Sequence, residues 1–173
     1  MEDNSYLAPA AYKAFRQRQY THAIELFQQR IDELMHLEGK EKEIYLLKND
    51  NAVCQILSGE PDIAINTLKE CYAYFKTEGL ETKVAMSLAN IATAYEHKKN
   101  IKEAIDYYNQ ALANFPTFDD NDVKYFIHHN LSLLYLRRFQ INKAILERFH
   151  ALEFKQHLSL ADKLIQFVLR VIH

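Results

Sequence analysis

The sequence predicts an all-α fold, a right-handed α-solenoid of four helical hairpins followed by a C-terminal helix, and three observations carry that prediction. First, a small residue at the head of each hairpin's second helix recurs as Ala23, Ala64, Ala104 and Ala144, at intervals of 41, 40 and 40 residues. Self-similarity at a fixed period marks a repeat architecture. Second, apolar residues between these anchors follow helical spacing, most completely from Ala85 to Pro116. There Leu88, Ile91, Ala92 and Tyr95 share one helix face, Ala104, Tyr108 and Ala111 share the next, and Lys98, Lys99 and Asn100 form the turn. Third, only three Gly and three Pro occur in 173 residues while apolar residues make up 49%, a balance suited to long helices and poor for a β-rich fold.

A chain of this length holds one ordinary domain or one short repeat array. It is read as a single repeat domain over 1–173, with hairpins at about 4–39, 40–79, 80–118 and 119–158 and a last helix over 159–173. The first hairpin starts near Asn4 or Ser5, with Pro9 in a first turn that tolerates it. Its first helix carries Ala11, Ala14 and Phe15, its second Ala23, Ile24, Phe27 and Ile31, and Gly39 is the expected left-handed terminator. In the second hairpin Ile44, Leu47, Ala52 and Ile56 lead to a turn at Ser58-Gly59-Glu60. Pro61 then opens a helix with Ala64, Leu68 and Cys71 in its core stripe, and Gly79 stops it 40 residues after Gly39. The third hairpin is followed by the polar connection from Pro116 to Asp122, where Asp122 is a suitable cap. The fourth places Leu131, Ser132, Tyr135, Ala144 and Ala151 in the slots of Ile91, Ala92, Tyr95, Ala104 and Ala111, with His128 and Arg148 at apolar positions. Counting on by two periods of 40 from Leu88, Ile91 and Ala92, through the fourth hairpin, reaches Val168, Val171 and Ile172, so the last segment reads as the first helix of a fifth hairpin. It is apolar on more than one face, where a terminal solenoid helix usually shows one polar face to water.

Net charge near -2, with basic residues scattered in pairs such as Lys98-Lys99 and Arg137-Arg138, makes no basic stripe, and direct nucleic-acid binding is not expected. No leader-like segment and no apolar run of the roughly 20 residues needed to span a bilayer is apparent, so a cytoplasmic protein without a membrane partner is expected. Cys54 and Cys71 sit at core-like positions and are expected as reduced, buried thiols. No phosphate-binding glycine loop or metal-type Cys or His pair is present. The Glu-x-x-His steps at Glu33 to His36 and Glu147 to His150 use a spacing known from di-iron bundles, but they fall at different phases of their repeats. An enzyme, a metal and a cofactor are therefore not expected. Tyr95, Tyr108 and Tyr135 occupy packing slots rather than a stacking platform.

The stretch from Ala85 to Pro116 resembles the tetratricopeptide repeat, whose pattern is a large apolar residue, a leucine-small pair, an aromatic, then Ala, an aromatic, Ala and a closing Pro. The resemblance implies that first helices of successive repeats line an inner, concave wall. Beside the core stripe, that wall is read as Asn90, Thr93 and His97 in the third hairpin and Asn130, Leu133 and Arg137 in the fourth. In the second it is Asp50, Val53 and Leu57, and in the first Pro9, Tyr12 and Arg16, with Asn49, Met86, Glu96, Phe126 and His129 flanking. Asn90 and Asn130 lie 40 residues apart at one phase. An amide offers both a donor and an acceptor, which the main chain of an extended peptide requires. The alternative for each amide is a bond to a neighbouring helix that fixes the hairpin angle.

The run from His128 through Asn130 to Leu136, together with the period of 40, also resembles the repeats of the peptide-pheromone-sensing regulators of Gram-positive bacteria, of the Rap, Rgg, PlcR and PrgX type. That likeness implies a groove that holds a short signalling peptide through asparagines, here Asn90 and Asn130, with Asp50 at the matching position of the second hairpin. Few residues precede Ser5, so transcriptional control by this chain alone is not expected. A carboxylate clamp of the chaperone-tail-binding kind is not expected either, since its lysines are missing from the groove positions. The expected function is thus a non-catalytic peptide- or protein-binding module with a site of Asn49, Asp50, Asn90, Thr93, His97, His129, Asn130 and Arg137. The alternative is a scaffold that pairs with another chain, or with a second copy as a homodimer, through an apolar edge of Leu164, Phe167, Val168 and Val171.

Overall fold

A computed structural model describes residues 4–115, 121–155 and 158–172, and of these every side chain except those of Asn4, Ala161 and 168–172. All regular structure among them is helical, and the chain divides into one compact unit up to Asn114 and another from Phe115 onward.

In the first unit, a 3-10 turn at Asn4–Tyr6 leads to α1 (Pro9–Arg16), α2 (Tyr20–Met35), α3 (Glu41–Ser58), α4 (Pro61–Thr77), α5 (Glu81–His97) and α6 (Ile101–Ala113). Consecutive helices pack as neighbours, and α3 also touches α5. The first helix opens at Pro9 rather than near Asn4. Proline is preset for a first helical turn, where its missing N–H would have no intrahelical partner, and Pro61 opens α4 in the same way. Leu7 and Ala8, just ahead of α1, are nevertheless buried, and Arg30 on α2 donates to the Leu7 carbonyl at 3.0 Å.

The alanine anchors sit where close helix approach needs the least volume. Ala23, Ala64 and Ala104 are fully buried in this unit. Around Ala64 and Ala52 the core continues through Ile56, Ile65, Leu68, Ile91 and Ala94, with Tyr95 and Tyr107 packed against it as a parallel pair 5.3 Å apart. Tyr108 is fully buried, as its slot requires. Cys54 and Cys71 are free and buried, and loss of hydration pushes both thiols up to about 12, which leaves them protonated and unreactive at neutral pH.

Every hairpin turn is closed in one way. A single residue takes a left-handed conformation at Arg18 (φ 59°), Gly59 (φ 94°), Lys99 (φ 62°) and, in the second unit, Phe139 (φ 56°). The next residue donates its N–H five residues back, Gln19 to Ala14, Glu60 to Gln55, Asn100 to Tyr95 and Gln140 to Tyr135, at 2.8–3.0 Å. The same residue's carbonyl then accepts from the anchor alanine four residues on. One residue thus ends one helix and starts the next. Gly39 and Gly79 are left-handed between hairpins, as expected from their period.

The second unit contains α7 (Asn121–Arg137), α8 (Ile141–Phe154) and α9 (Leu160–Ile172). Asp122 lies within the first turn of α7 rather than capping it, and Pro116 falls outside the described residues. Ile127, Leu131, Leu134, Tyr135, Ala144, Ala151 and Leu152 form its core. His128 and Arg148, at apolar positions of the pattern, do not leave that core open. His128 lies parallel to Phe154, ring centres 5.6 Å apart, and pairs through Nδ1 with Glu147 at 2.7 Å, while Arg148 reaches out to other groups described below.

Candidate functional site

The first helices of the first unit, α1, α3 and α5, are joined side by side by polar side chains. The Tyr12 hydroxyl on α1 donates to Asp50 Oδ2 on α3, and the Tyr12 ring meets Phe27 edge-on at 5.0 Å. Asn49 Nδ2 approaches the other Asp50 oxygen at 3.5 Å. Asn49 Oδ1 accepts from Ser87 Oγ at 3.1 Å and from Asn90 Nδ2 at 3.5 Å, both on α5. Thr93 donates to the Ala89 carbonyl at 3.0 Å and meets the Tyr108 hydroxyl at 2.9 Å.

This arrangement divides the residues expected on the wall. Asn49 is corrected: it is only 5% exposed and is spent on holding α3 to α5. Asp50, Asn90 and Thr93 are half-buried, and His97 is exposed at the end of α5. Between them Val53 and Met86 are half-buried and Leu57 is exposed, so polar groups alternate with apolar surface. The network also contains Ser87, which stands at the register of the buried Leu47 and Ile127. A serine in a fully buried slot signals a partner, since a hydroxyl there without a hydrogen bond is costly.

In the second unit, α7 turns Phe126, Leu133 and Arg137 to solvent, with Asn130 half-buried among them. His129, expected beside this face, is instead taken up in packing. It stacks on Tyr125 at 5.8 Å, and its Nδ1 accepts from Arg148 Nη1 at 2.8 Å. Burial, with Arg148 and then Lys155 nearby, holds its ring below the usual histidine range. Arg148 also reaches Asp162 at 3.7 Å. Asp162 and Ser159 cap α9 reciprocally, Ser159 N–H to carboxylate at 3.0 Å and Asp162 N–H to Ser159 Oγ at 3.1 Å. Hydrogen bonds from Lys155 and Ser159 hold the Asp162 carboxyl far below the ordinary carboxylate range.

On α9, Leu164 and Phe167 are 65% and 66% exposed, while the side chains of Val168 and Val171 lie outside the described residues. The two Glu-x-x-His steps do not build a metal site. Glu33 pairs with Arg30, Glu147 with His128, and His150 with Glu153. Among the described residues no three His, Cys, Asp or Glu side chains converge to hold an ion, and no helix is long and apolar enough to cross a membrane.

Comparison with known proteins bears on this stack of hairpins. Residues 43–117 match the family model described as tetratricopeptide repeat, whereas no curated protein sequence matches the chain. Among solved structures, BtubC from P. vanneervenii superposes with a TM-score of 0.74 at 18% identity, over 95% of this chain and 70% of that one. A putative kinesin light chain of Podospora anserina with TPR-like repeats gives 0.71 at 18% identity, over 99% and 88%. The TPR2AB domain of yeast Sti1, in its complex with pHSP90, gives 0.54 at 15% identity, over 98% and 83%. At these identities the structural likeness shows the fold alone. Joined to hairpins closed on buried alanines at a period of 40, it shows a tetratricopeptide-repeat-like fold, with the repeat itself matched over residues 43–117.

Proposed function

We propose that the chain is a non-catalytic protein-binding module whose first-helix wall accepts an extended peptide. The observation that carries this reading is the row of half-buried polar groups Asp50, Asn90 and Thr93 interleaved with Val53, Met86 and Leu57. Such a row supplies hydrogen-bonding groups for a main chain and apolar surface for alternate side chains. Asn90 is steadied by Asn49 through one N–H, and an amide has further capacity. Asn130 repeats it one period later on α7, beside Phe126 and Leu133. The repeat match over residues 43–117 and the complex of the Sti1 domain with pHSP90 support a protein as partner. The likeness to peptide-sensing bacterial regulators supports a short signalling peptide in a cytoplasmic protein.

The test is selection of short unstructured peptides from a displayed random library on the wild-type chain, followed by titration of the selected peptide. Asn90→Ala combined with Asn130→Ala should weaken binding by roughly tenfold or more, about 1.4 kcal/mol, with unchanged circular dichroism. Equal affinity of the double variant would refute the wall as the site.

A second reading, self-assembly through α9, is favoured by the exposed Leu164 and Phe167. Sedimentation equilibrium distinguishes it: a concentration-dependent dimer that Phe167→Glu abolishes supports it, and a monomer throughout rejects it.

A further inference from the structure

We propose that the first hairpin is a hinged flap: α1 and α2 swing away from α3 together, at a seam that α3 builds partly from two buried amides. Ile91, Ala94 and Tyr95 on α5 pack into a core supplied by the preceding hairpin, with Ala52, Ile56 and Leu68 among its members. One period of 40 earlier, the same positions of α3 hold Asn51, Cys54 and Gln55, which by this register meet the first hairpin where α2 packs on α3. The two seams correspond in place and differ in chemistry. At the α5 seam Ile91 is fully buried and Tyr95 stacks on Tyr107 at 5.3 Å. At the α3 seam the Asn51 and Gln55 side-chain oxygens are both out of reach of water, and neither has a hydrogen-bond donor among the described residues.

An amide oxygen held from water without a donor favours any state that returns it to water. Parting α3 from the first hairpin does this for two oxygens at once, whereas parting α5 from the second hairpin would hydrate an isoleucine and a tyrosine ring. The buried Phe27, Ile31 and Leu34 of α2 keep the closed form the major one. Gln19 closes α1 and opens α2, so these helices move as one body, and the five-residue connection from His36 to Lys40, with Gly39 left-handed, supplies the pivot. Opening parts the Tyr12 hydroxyl from Asp50 and so takes α1 off the wall. That consequence rests on the peptide-binding reading, and the opening itself does not.

Two native thiols report on the flap. Cys54 lies on the opening seam, at the register of Ala94, while Cys71 lies inside the second hairpin, its thiol donating to the Tyr45 carbonyl of α3 at 3.6 Å. Both are fully buried, so a thiol reagent reaches each only through a motion that uncovers it. The full chain is treated with iodoacetamide at neutral pH without denaturant, and the modified site in singly labelled chains is located by mass spectrometry of proteolytic fragments. Cys54 should react roughly tenfold or more faster than Cys71. Asn51→Ile with Gln55→Tyr, which installs the third hairpin's residues at these positions, should slow Cys54 by a similar factor. Should that pair not fold, Asn51→Ile alone should slow Cys54 in the same direction. Equal rates at the two thiols of the wild type would show that only global unfolding uncovers them and would overturn the proposal, as would an undiminished Cys54 rate in a folded variant.

Discussion

Ser87 Oγ donates to Asn49 Oδ1 at 3.1 Å, a buried hydrogen bond between α5 and α3 that spans 38 residues of sequence. It sets the spacing of two first helices and so the width of the wall between them. Asn49→Ala leaves the Ser87 hydroxyl buried without this acceptor and should cost about 1–3 kcal/mol. Adding Ser87→Ala should return part of that loss, because both polar partners are then gone. Urea unfolding of the two single variants and the double variant checks this, and simple additivity would show that the two residues are not coupled.

The two lysines of the third turn have opposite expected signs. Lys99 is left-handed, and Lys99→Gly removes a side-chain clash at that φ, for an expected gain of about 0.5–1 kcal/mol. Lys98 ends α5 in right-handed geometry and pairs with Asp62 at the head of α4. Lys98→Gly loosens the backbone, removes that pair and should destabilise. Thermal unfolding of both variants should move the melting temperature up for one and down for the other.

A buried amide interrupts the core of the second hairpin. Among the described residues, Asn51 Oδ1 and Gln55 Oε1 are buried without a hydrogen-bond partner. At the register of Asn51 the third and fourth hairpins place Ile91 and Leu131, both buried to 1% or less. Asn51→Ile therefore exchanges an unsatisfied carbonyl for the residue the repeat uses elsewhere, and should stabilise by about 1–2 kcal/mol. Denaturant titration with an unchanged m-value would support this, and a loss of stability would show that the amide is structurally required.

The second unit should weaken in mild acid. His129 Nδ1 accepts from Arg148, which can only donate, so the bond exists only with a neutral ring at that nitrogen. With its pKa lowered in the fold, protons bind the unfolded chain first. The stabilisation is complete above the ordinary value of 6.5 and is lost as pH falls through the lower folded value. Melting followed from about pH 7.5 to about pH 5.5 should show this decline, and His129→Gln, which keeps an acceptor for Arg148, should flatten it.

Much of the architecture is readable from residue types because volume decides it. Only alanine fits where paired helices approach most closely, so Ala23, Ala64, Ala104 and Ala144 announce the hairpins, and all are buried to 3% or less. Orientation of polar residues at the edge of that stripe is not so determined. Asn49 and Asn90 stand on neighbouring helices one position apart in register, about 100° around the helix, and one faces the α5 interface while the other faces the wall. Asn49 flanks the stripe on which the wall is read, and spacing alone does not say to which side such a flanking residue turns. Phe139 escapes for another reason, since left-handed turns are usually announced by glycine and only Gly59 does so among the hairpin turns.

Because Gln19, Glu60, Asn100 and Gln140 each close one helix and open the next, the hairpin bends have no slack. One inserted residue there would swing the following helix by about 100° and carry its anchor alanine off the packing seam. Length can change harmlessly only at the opposite edge, between hairpins. The chain already does so: the interval of 41 arises where α2 stops at Met35 and α3 starts at Glu41, against a gap from Thr77 to Glu81 in the next repeat. Loop grafts and added tags should thus be tolerated around residues 36–40 and rejected at the bends.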